Sequence, residues 1–235
     1  MTENPEQSPS KKRPKKGLIA AGVIVAVLVV AGVGAFVWHE QPSFCAAICH
    51  DPMDPYLATY EADTDGVTTD KWGDEVQASA MMAPMHREAG VTCLDCHVPT
   101  LNQQVSEGLA WVSGDFESPL SEQTNVTLAA ASEMKASDDM CLKSGCHAGI
   151  NDRYDLEQAT SDLEFNPHAL MHGDDGGYDC SDCHKAHRAS NYSCMECHVN
   201  DKNMANQCIT DEMVPEGWLT WEENQQVLAD HGQEQ

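Results

Sequence analysis

The sequence predicts a mostly α-helical domain with irregular loops, preceded by one N-terminal transmembrane helix. Residues 17–38 carry no charged side chain, and 22 apolar residues at helical rise are enough to cross a hydrocarbon core, which needs about 20. Beyond this run, helix signals recur and no stretch has a convincing strand pattern. We therefore divide the chain into a cytoplasmic tail (1–16), a transmembrane helix (17–38) and an extracytoplasmic domain (39–235).

Five pairs of cysteines in the C-terminal domain are each followed at once by a histidine. The pairs are Cys45 and Cys49, Cys93 and Cys96, Cys141 and Cys146, Cys180 and Cys183, and Cys194 and Cys197; the histidines are His50, His97, His147, His184 and His198. This order is typical of covalently attached haem c: two thiols form thioether bonds to the macrocycle, and the adjacent imidazole is the proximal iron ligand. The first and third motifs have expanded gaps of three and four residues. The domain is therefore predicted to be a multihaem cytochrome c organised around five covalently bound haem c groups, numbered here by motif.

Zinc sites and disulfides are the alternative interpretations of paired cysteines. Zinc sites would combine the pairs two by two, and five pairs leave one over. Disulfides give no reason for the histidine that ends every motif. Ten of the eleven cysteines are used by the motifs, and the remaining one, Cys208, is either a packed thiol or a partner for another protein.

The composition suggests that the cofactors supply the core. Aromatic residues make up only 6% of the chain, and residues 39–235 provide about 39 residues per haem. Each macrocycle is a large apolar surface against which side chains can pack. Without haem we expect this domain to be largely unfolded.

Electron-transfer haems need a second axial ligand, and six histidines remain outside the motifs. Of these, His39 lies at the membrane boundary and His231 lies near a C-terminus expected to fray. The other four are candidate distal ligands: His86, His168, His172 and His187. Four distal histidines for five irons leave haem 1 without a second histidine ligand. Met53, three residues after His50, could complete it through its thioether, or could simply pack in the core.

Five stretches are predicted to be helical. They are residues 70–87, 103–111, 121–135, 153–164 and a terminal helix after Pro215. In the last of these, Thr220 and Glu223 form a capping-box pattern. Trp218, Trp221, Val227 and Leu228 are expected to pack inward.

Charge is distributed unevenly across the apolar run. Residues 11–16 read KKRPKK and are expected to stay in the cytoplasm, so that the haem domain is exported to the periplasmic side. A cleaved signal peptide, ending near residues 33–35, is the alternative. Residues 39–235 contain eight Lys and Arg against 36 Asp and Glu, a formal net charge of −28. Nucleic acid is a poor partner for such a domain, and a protein with a basic docking face is a good one.

Three stretches resemble the NapC/NirT family of membrane-anchored multihaem quinol dehydrogenases, which includes the small subunit of cytochrome c nitrite reductase. They are CAAICHDPM just beyond the apolar run, HREAGVTCLDCHVP at 86–99 and CSDCHKAH at 180–187. The resemblance implies that electrons come from a quinol such as menaquinol and pass to an extracytoplasmic reductase. It also implies distal-ligand roles for His86 and His187.

The chain departs from that family in having five motifs, two of them expanded, and no lysine in the stretch after CHVP. Asp115 lies near the acidic position of the family, and Glu107 is a second candidate proton acceptor for the quinol. The expanded first motif resembles cytochromes that work with flavoproteins of the fumarate-reductase type. A reductase of that type, or of the cytochrome c nitrite reductase type, is therefore the expected partner.

Three functions fit the sequence. The first is an electron-transfer anchor with quinol dehydrogenase activity, active in anaerobic respiration. The second is an enzyme that reduces a small molecule such as nitrite or hydroxylamine at an open haem, and the third is a conduit to extracellular acceptors. No hydrolase or transferase constellation is present, because the motif cysteines and histidines are committed to haem.

Overall fold

The computed structural model describes residues 16–48, 50–116, 118, 140–142, 146–147, 149–163, 166–169, 179–198 and 209–232. The chain divides into two compact units, 1–40 and 41–235. In the first unit, helix α1 (Lys16–His39) is 24 residues long, or about 36 Å at the α-helical rise. Its large apolar side chains, Ile19 and Phe36 among them, are exposed.

The N-terminal helix is long and apolar enough to cross a membrane from Ile19 to His39. Among the described residues, one helix meets this criterion. A helix of this kind near the N-terminus is either a membrane anchor or a signal sequence.

The second unit consists of short helices, two short strands and connecting loops. Its α-helices are α2 (Pro42–Ile48), α3 (His50–Glu61), α4 (Met82–Glu88), α5 (Cys93–Cys96), α6 (Leu101–Ser113), α7 (Arg153–Ala159), α8 (Cys180–Cys183), α9 (Met195–His198) and α10 (Trp221–Asp230). Strands β1 (Val67–Thr69) and β2 (Glu75–Gln77) form an antiparallel hairpin, in which Thr68 pairs with Val76. Single turns of 3₁₀ helix follow at Ala78–Ala80 and Asp211–Met213.

The helix predicted over residues 70–87 is wrong in its first two-thirds, and so is the expectation that no strand is present. The carboxylate of Asp70 accepts hydrogen bonds from the backbone N–H groups of Trp72 and Asp74, at 2.8 and 3.1 Å. Gly73 has φ +93°, which glycine adopts without strain. This side-chain-to-backbone turn competes successfully with the helix and reverses the chain into β2.

Two other predicted helices have different outcomes. The one over 103–111 is confirmed as α6, which begins after a capping box in which the side chain of Thr100 accepts from Gln103 N–H and Gln103 Oε1 accepts from Thr100 N–H. It ends at Gly114, with φ +74°. The helix predicted over 153–164 is present as α7 but is shorter, because it ends at Ala159. The helix predicted over 121–135 lies outside the described residues.

The terminal helix α10 is confirmed, with the predicted capping box. Glu223 Oε2 accepts from Thr220 N–H at 2.8 Å, and Thr220 Oγ1 accepts from Glu223 N–H at 3.2 Å. Leu228 is buried, as expected. Trp218 and Trp221 pack against a small buried cluster of Tyr192, Met195 and Ile209.

The C-terminal end of α10 is held in place, contrary to the expected fraying. His231 Nε2 lies 2.8 Å from Asp74 Oδ2. Its ring stacks on Trp72, with centroids 4.6 Å apart and planes 12° from parallel. A hydrogen bond and a ring stack thus attach residue 231 to the β1–β2 turn.

Little apolar side-chain surface is buried by protein alone. Among the described residues the buried apolar set is Leu57, Ala78, Ala80, Met81, Ala83, Ala189, Tyr192, Met195, Ile209 and Leu228. Four of these ten are alanines, so the apolar core that the described residues form by themselves is thin. This agrees with the expectation that haem supplies much of the core.

Candidate haem sites

The three motifs with the ordinary two-residue gap share one backbone design. In each, the histidine N–H donates to the carbonyl of the first cysteine: His97 to Cys93 at 2.8 Å, His184 to Cys180 at 2.9 Å and His198 to Cys194 at 3.0 Å. This bond closes a single helical turn. The turn brings both cysteines and the histidine to one end of a rigid segment, as attachment to a single macrocycle requires.

Two of these turns are capped by residues that the motif itself supplies. Before α5, Thr92 N–H donates to Asp95 Oδ2 at 2.7 Å, and before α8, Asp179 N–H donates to Asp182 Oδ2 at 2.7 Å. Both are capping boxes in which the side chain of the first residue also accepts from the backbone of the acid. An isolated turn is unstable, so the aspartates inside CLDCH and CSDCH stabilise the conformation that presents the thiols.

The two expanded motifs are described in part. Cys45 lies in α2 and His50 begins α3, whereas Cys49 lies outside the described residues. In the third motif Cys141, Cys146 and His147 are described and residues 143–145 are not. His172 and Cys208 also lie outside the described residues. Cys197 is part of α9.

The thiols and histidines suit haem better than the two alternatives. Cys93, Cys146 and Cys183 are free thiols, so the second, third and fourth motifs contain no internal disulfide. Within the described ranges no group of three or more His, Cys, Asp and Glu side chains is placed to hold a metal ion. The histidines instead meet in pairs.

Each of three motif histidines faces one of the candidate distal histidines. The ring centroids of His97 and His187 are 6.4 Å apart, those of His184 and His168 are 6.2 Å apart, and those of His147 and His86 are 6.2 Å apart. The first two pairs are nearly parallel, at 17° and 11°, and the third is close to perpendicular, at 85°.

These separations are longer than the 4.6 Å stack of His231 on Trp72, and they suit a metal ion between the rings. Two in-line metal–imidazole bonds of about 2 Å place ring centres roughly 6 Å apart. Three pairs from unrelated parts of the sequence share this spacing within 0.2 Å. The residues present therefore fit haem irons with two imidazole ligands.

His187 is held in the tautomer that a metal ligand needs. Its Nδ1 lies 2.6 Å from Thr59 Oγ1, and that hydroxyl donates its own hydrogen to the carbonyl of Tyr56 at 2.8 Å. The hydroxyl can therefore only accept, so Nδ1 carries the proton and Nε2 keeps its lone pair. A hydrogen bond of this kind orients a ligand ring and raises its basicity.

The other two distal candidates are arranged in the same way. His86 Nδ1 lies 2.8 Å from the carbonyl oxygen of Met82, which can only accept a hydrogen bond. His168 Nδ1 lies 3.3 Å from Thr160 Oγ1, whose own hydrogen is donated to Leu156 O, at 2.8 Å, or to Asn166 Oδ1, at 2.9 Å. All three rings thus direct Nδ1–H to the protein and leave Nε2 available. His231 differs, because its Nε2 is engaged by Asp74.

Burial favours the neutral form of His187, His168 and His184, and metal ligation requires a neutral imidazole. Loss of solvent around the ring, with smaller contributions from His97 and Lys71, lowers the pKa of His187 to about 3. Burial also lowers the pKa of His168 and, with help from neighbouring histidines, that of His184. These rings are therefore unprotonated near neutral pH.

The backbone around His187 is fixed by three successive carbonyls. The carbonyls of Lys185, Ala186 and His187 accept from the N–H groups of Met82, Ala83 and Lys71, at 2.9, 3.0 and 2.8 Å. The segment that follows the fourth motif is thereby attached to the start of α4 and to the β1–β2 turn. His187 is held on its backbone side by these bonds and on its ring side by Thr59.

Three basic side chains lie next to these histidines. Burial, followed by the charge of Arg188, lowers the pKa of Lys71 to about 8, and the same two causes lower the pKa of Lys185 to about 8. Burial lowers the pKa of Arg188 to about 10, against the nearby charge of Asp70. The pKa of the Asp70 carboxyl is itself raised by burial.

The remaining sequence candidates are spread over the unit. Met53 lies in α3 and is half-buried, three residues before Tyr56, whose ring meets His187 edge-on at 5.0 Å. Glu107 in α6 and Asp115 just after it are both exposed. His39 lies at the end of α1, 3.3 Å from Glu40. Sequence reasoning missed Thr59 and Thr160, for which no motif gives a signal.

Capped Cys-x-x-Cys-His turns and facing imidazole pairs are what a covalently haem-binding electron-transfer protein requires. Residues 122–199 match the profile of the family described as Cytochrome c3. The chain is also 49% identical, over 209 residues, to cytochrome c-type protein Cgr1 of Eggerthella lenta, with 88% of this chain and 89% of that protein covered. No solved structure matches the chain. The chain belongs to the multihaem c-type cytochromes, and its haem is haem c, bound covalently.

Proposed function

We propose that this chain is a membrane-anchored pentahaem cytochrome that takes electrons from menaquinol and delivers them to an extracytoplasmic terminal reductase. Haem c supplies reversible one-electron transfer at iron. The observation that carries the proposal is the set of three imidazole pairs at 6.2–6.4 Å. Two protein ligands on an iron leave no position for a substrate, which favours electron transfer over catalysis at those sites.

In this proposal the three pairs of rings supply the proximal and distal ligands of three of the five haems. His187 is the partner of His97 at haem 2, His86 of His147 at haem 3, and His168 of His184 at haem 4. For haem 5, bound through His198, this leaves His172 of the four distal candidates. For haem 1, bound beside His50, it leaves Met53. The first motif is one of the two expanded ones, which depart from the NapC/NirT pattern, so this last assignment is the first to test.

The same pairs indicate which haems are neighbours. His86 precedes the second motif and His97 ends it, and the two histidines belong to different pairs. One short segment therefore supplies a ligand to haem 2 and a ligand to haem 3. His184 and His187 likewise join haems 4 and 2. Helix α3, which begins at the first motif, contacts His187 through Thr59. Haem 2 is therefore the centre of the proposed route, and electrons from haem 1 reach the others through it.

The membrane segment and the acidic surface define the two ends of the route. In this proposal α1 is an uncleaved anchor with residues 1–16 in the cytoplasm, and Asp115 and Glu107 accept the protons of menaquinol. The formal charge of −28 on residues 39–235 suits a reductase with a basic docking face. The two reductase types expected as partners are the fumarate-reductase type of flavoprotein and the cytochrome c nitrite reductase type.

The test uses the full chain in detergent, mixed rapidly with a reduced menaquinone analogue while haem reduction is followed optically. We expect reduction within the mixing experiment, and slowing of at least tenfold in Asp115→Asn or Glu107→Gln if that acid accepts a proton. Asp162→Asn, which removes another exposed acid, is the matched control. Haems that are reduced by dithionite but not by the quinol would refute the quinol role.

A further inference from the structure

A cationic cluster, defined as Lys71, Lys185 and Arg188, lies inside this strongly acidic domain. Lys71 is 7% exposed and Arg188 is 4% exposed. The Lys71 Nζ lies 4.6 Å from the centre of the Trp72 ring, and the Arg188 Cζ lies 5.6 Å from the same centre. Two buried cations therefore gather at one indole, and like charges placed so close require negative charge nearby.

The described protein supplies little of that negative charge. Of the eight Lys and Arg in residues 39–235, three are in the cluster, although 36 acids are available elsewhere. Asp70 is the nearby buried acid, and its carboxylate is engaged by two backbone N–H groups. Among the residues that the structure describes, none of the three cations forms an ion pair with a carboxylate.

The cations also keep hydrogen-bond donors for a further group. In the described part of the chain, Arg188 donates only through Nη1, to Asn224 Oδ1 at 2.8 Å and to Ala189 O at 3.3 Å. Its Nη2 and Nε remain available for the fork-like pairing that guanidinium makes with carboxylates. Lys185 Nζ donates to the carbonyl of Ser181, which uses one of its three hydrogens.

The cluster lies directly beside two of the imidazole pairs. Lys185 follows His184 and Arg188 follows His187 in the sequence, and the Lys71 N–H donates to the His187 carbonyl at 2.8 Å. Each haem carries two propionate carboxylates at the edge of the macrocycle. A propionate carboxylate therefore has the charge and the acceptor oxygens that these cations would bind.

We propose that Lys71, Lys185 and Arg188 form a binding site for the propionates of haems 2 and 4. This site rests on the proposed function for the assignment of those haems to the His97–His187 and His184–His168 pairs. The cations neutralise the propionates and add positive charge near the irons. Since oxidised iron carries the extra positive charge, the cluster raises the reduction potentials of these two haems within an acidic domain.

The experiment compares the full chain with Lys71→Met and Arg188→Met in detergent. Arg87→Met is the matched control for haems 2 and 4, since Arg87 is a partly exposed cation 3.7 Å from Asp63 and follows His86, which is assigned to haem 3. Haem content is measured first, and optical redox titration with dithionite follows. In the two cluster variants we expect two of the five haems to become harder to reduce, with the ratio of reduced to oxidised haem falling about tenfold at fixed potential, or about 59 mV.

A second readout separates propionate binding from a general field effect. Redox-difference infrared spectra of protein carrying carbon-13-labelled propionates should show labelled carboxylate bands that move in Lys71→Met and Arg188→Met and not in Arg87→Met. Added succinate should leave the wild-type titration unchanged if propionates occupy the cluster. A succinate-dependent shift in wild type would mean that free carboxylates bind there instead, and would overturn the proposal.

Three further outcomes would also test the propionate site or the proposed function. Cluster variants with full haem content, wild-type potentials and unmoved propionate bands would overturn the proposal. If a methionine variant matures with fewer haems, the charge-preserving Lys71→Arg must restore the content, and failure to restore it would also count against the site. Missing haem at the second or fourth motif of wild type would instead refute the proposed function.

Discussion

The hydroxyl of Thr59 lies 2.6 Å from Nδ1 of His187, across 128 residues of sequence. Because Thr59 donates its own hydrogen to Tyr56, it accepts from His187 and leaves Nε2 unprotonated. The bond also connects α3, which begins at the first motif, with the histidine assigned to haem 2. One contact thus sets both the tautomer of a ligand and the proximity of two motifs.

Replacing Thr59 with valine should alter one haem. Valine preserves the shape of the side chain and removes the acceptor, which makes His187 a weaker electron donor to iron and destabilises the oxidised state. We expect the potential of haem 2 to rise, with a change in the reduced-to-oxidised ratio of up to tenfold, or about 59 mV. Redox titration with electron paramagnetic resonance provides the measurement. The surface variant Thr64→Val, which loses only a bond to Glu88, should be silent, and an unchanged spectrum for Thr59→Val would contradict the ligand role of His187.

Removing a distal histidine should produce one high-spin haem and no more. His86→Ala should affect haem 3 and His168→Ala should affect haem 4, because each ring faces one motif histidine. Added imidazole should restore the low-spin signal in both. His231→Gln is the control, since its Nε2 is already bound to Asp74. The pairs would be misassigned if His231→Gln gave a high-spin signal. They would also be misassigned if neither alanine variant gave a high-spin signal.

Gly217→Ala should destabilise the folded protein more than Gly232→Ala. Both glycines have positive φ, at +81° and +65°. A Cβ at Gly217 would lie 2.7 Å from the Cβ of Gln77, whereas nothing lies within 4 Å of one at Gly232. We expect a loss of about 2–4 kcal/mol at Gly217 and about 1 kcal/mol at Gly232. Denaturant titration followed by circular dichroism measures both, and equal losses would show that the loop near Gly217 moves aside.

The unit of residues 41–235 should not fold when haem attachment is prevented. The apolar core buried by protein alone is small, and buried histidines and cations need the groups that they bind. A chain expressed without the haem-attachment machinery should lack most of the far-ultraviolet helical signal of the mature protein. Far-ultraviolet circular dichroism of both forms tests this, with the isolated α1 peptide in detergent as a control for the membrane segment. A native-like spectrum without haem would mean that the protein part is sufficient.

The sequence predicted the motifs, the apolar helix and the terminal capping box because each depends on residues close together in the chain. Thr220 and Glu223, for example, are three residues apart and identify their own helix start. The helix over 70–87 failed for a local reason as well, because the Asp70 turn outweighs an alanine-rich and methionine-rich pattern. The pattern of apolar residues cannot predict that a carboxylate accepts hydrogen bonds from two backbone N–H groups.

The pairing of ligands was beyond sequence reasoning. His97 and His187 are both recognisable as candidate ligands, but their meeting depends on the path of 89 intervening residues. Thr59 and the cationic cluster are harder still, since a threonine or a lysine carries no motif. Such residues become visible only when distances join them to a histidine.

The four residues from His184 to His187 have a mechanical consequence. If the two rings bind different irons, three peptide units keep the Cα atoms of the two ligands within about 10 Å of each other. Side-chain packing that loosens with heat leaves this covalent tether intact. The step between haems 2 and 4 should therefore be the last electron hop to slow as the protein warms, outlasting every hop that relies on separate parts of the chain staying together.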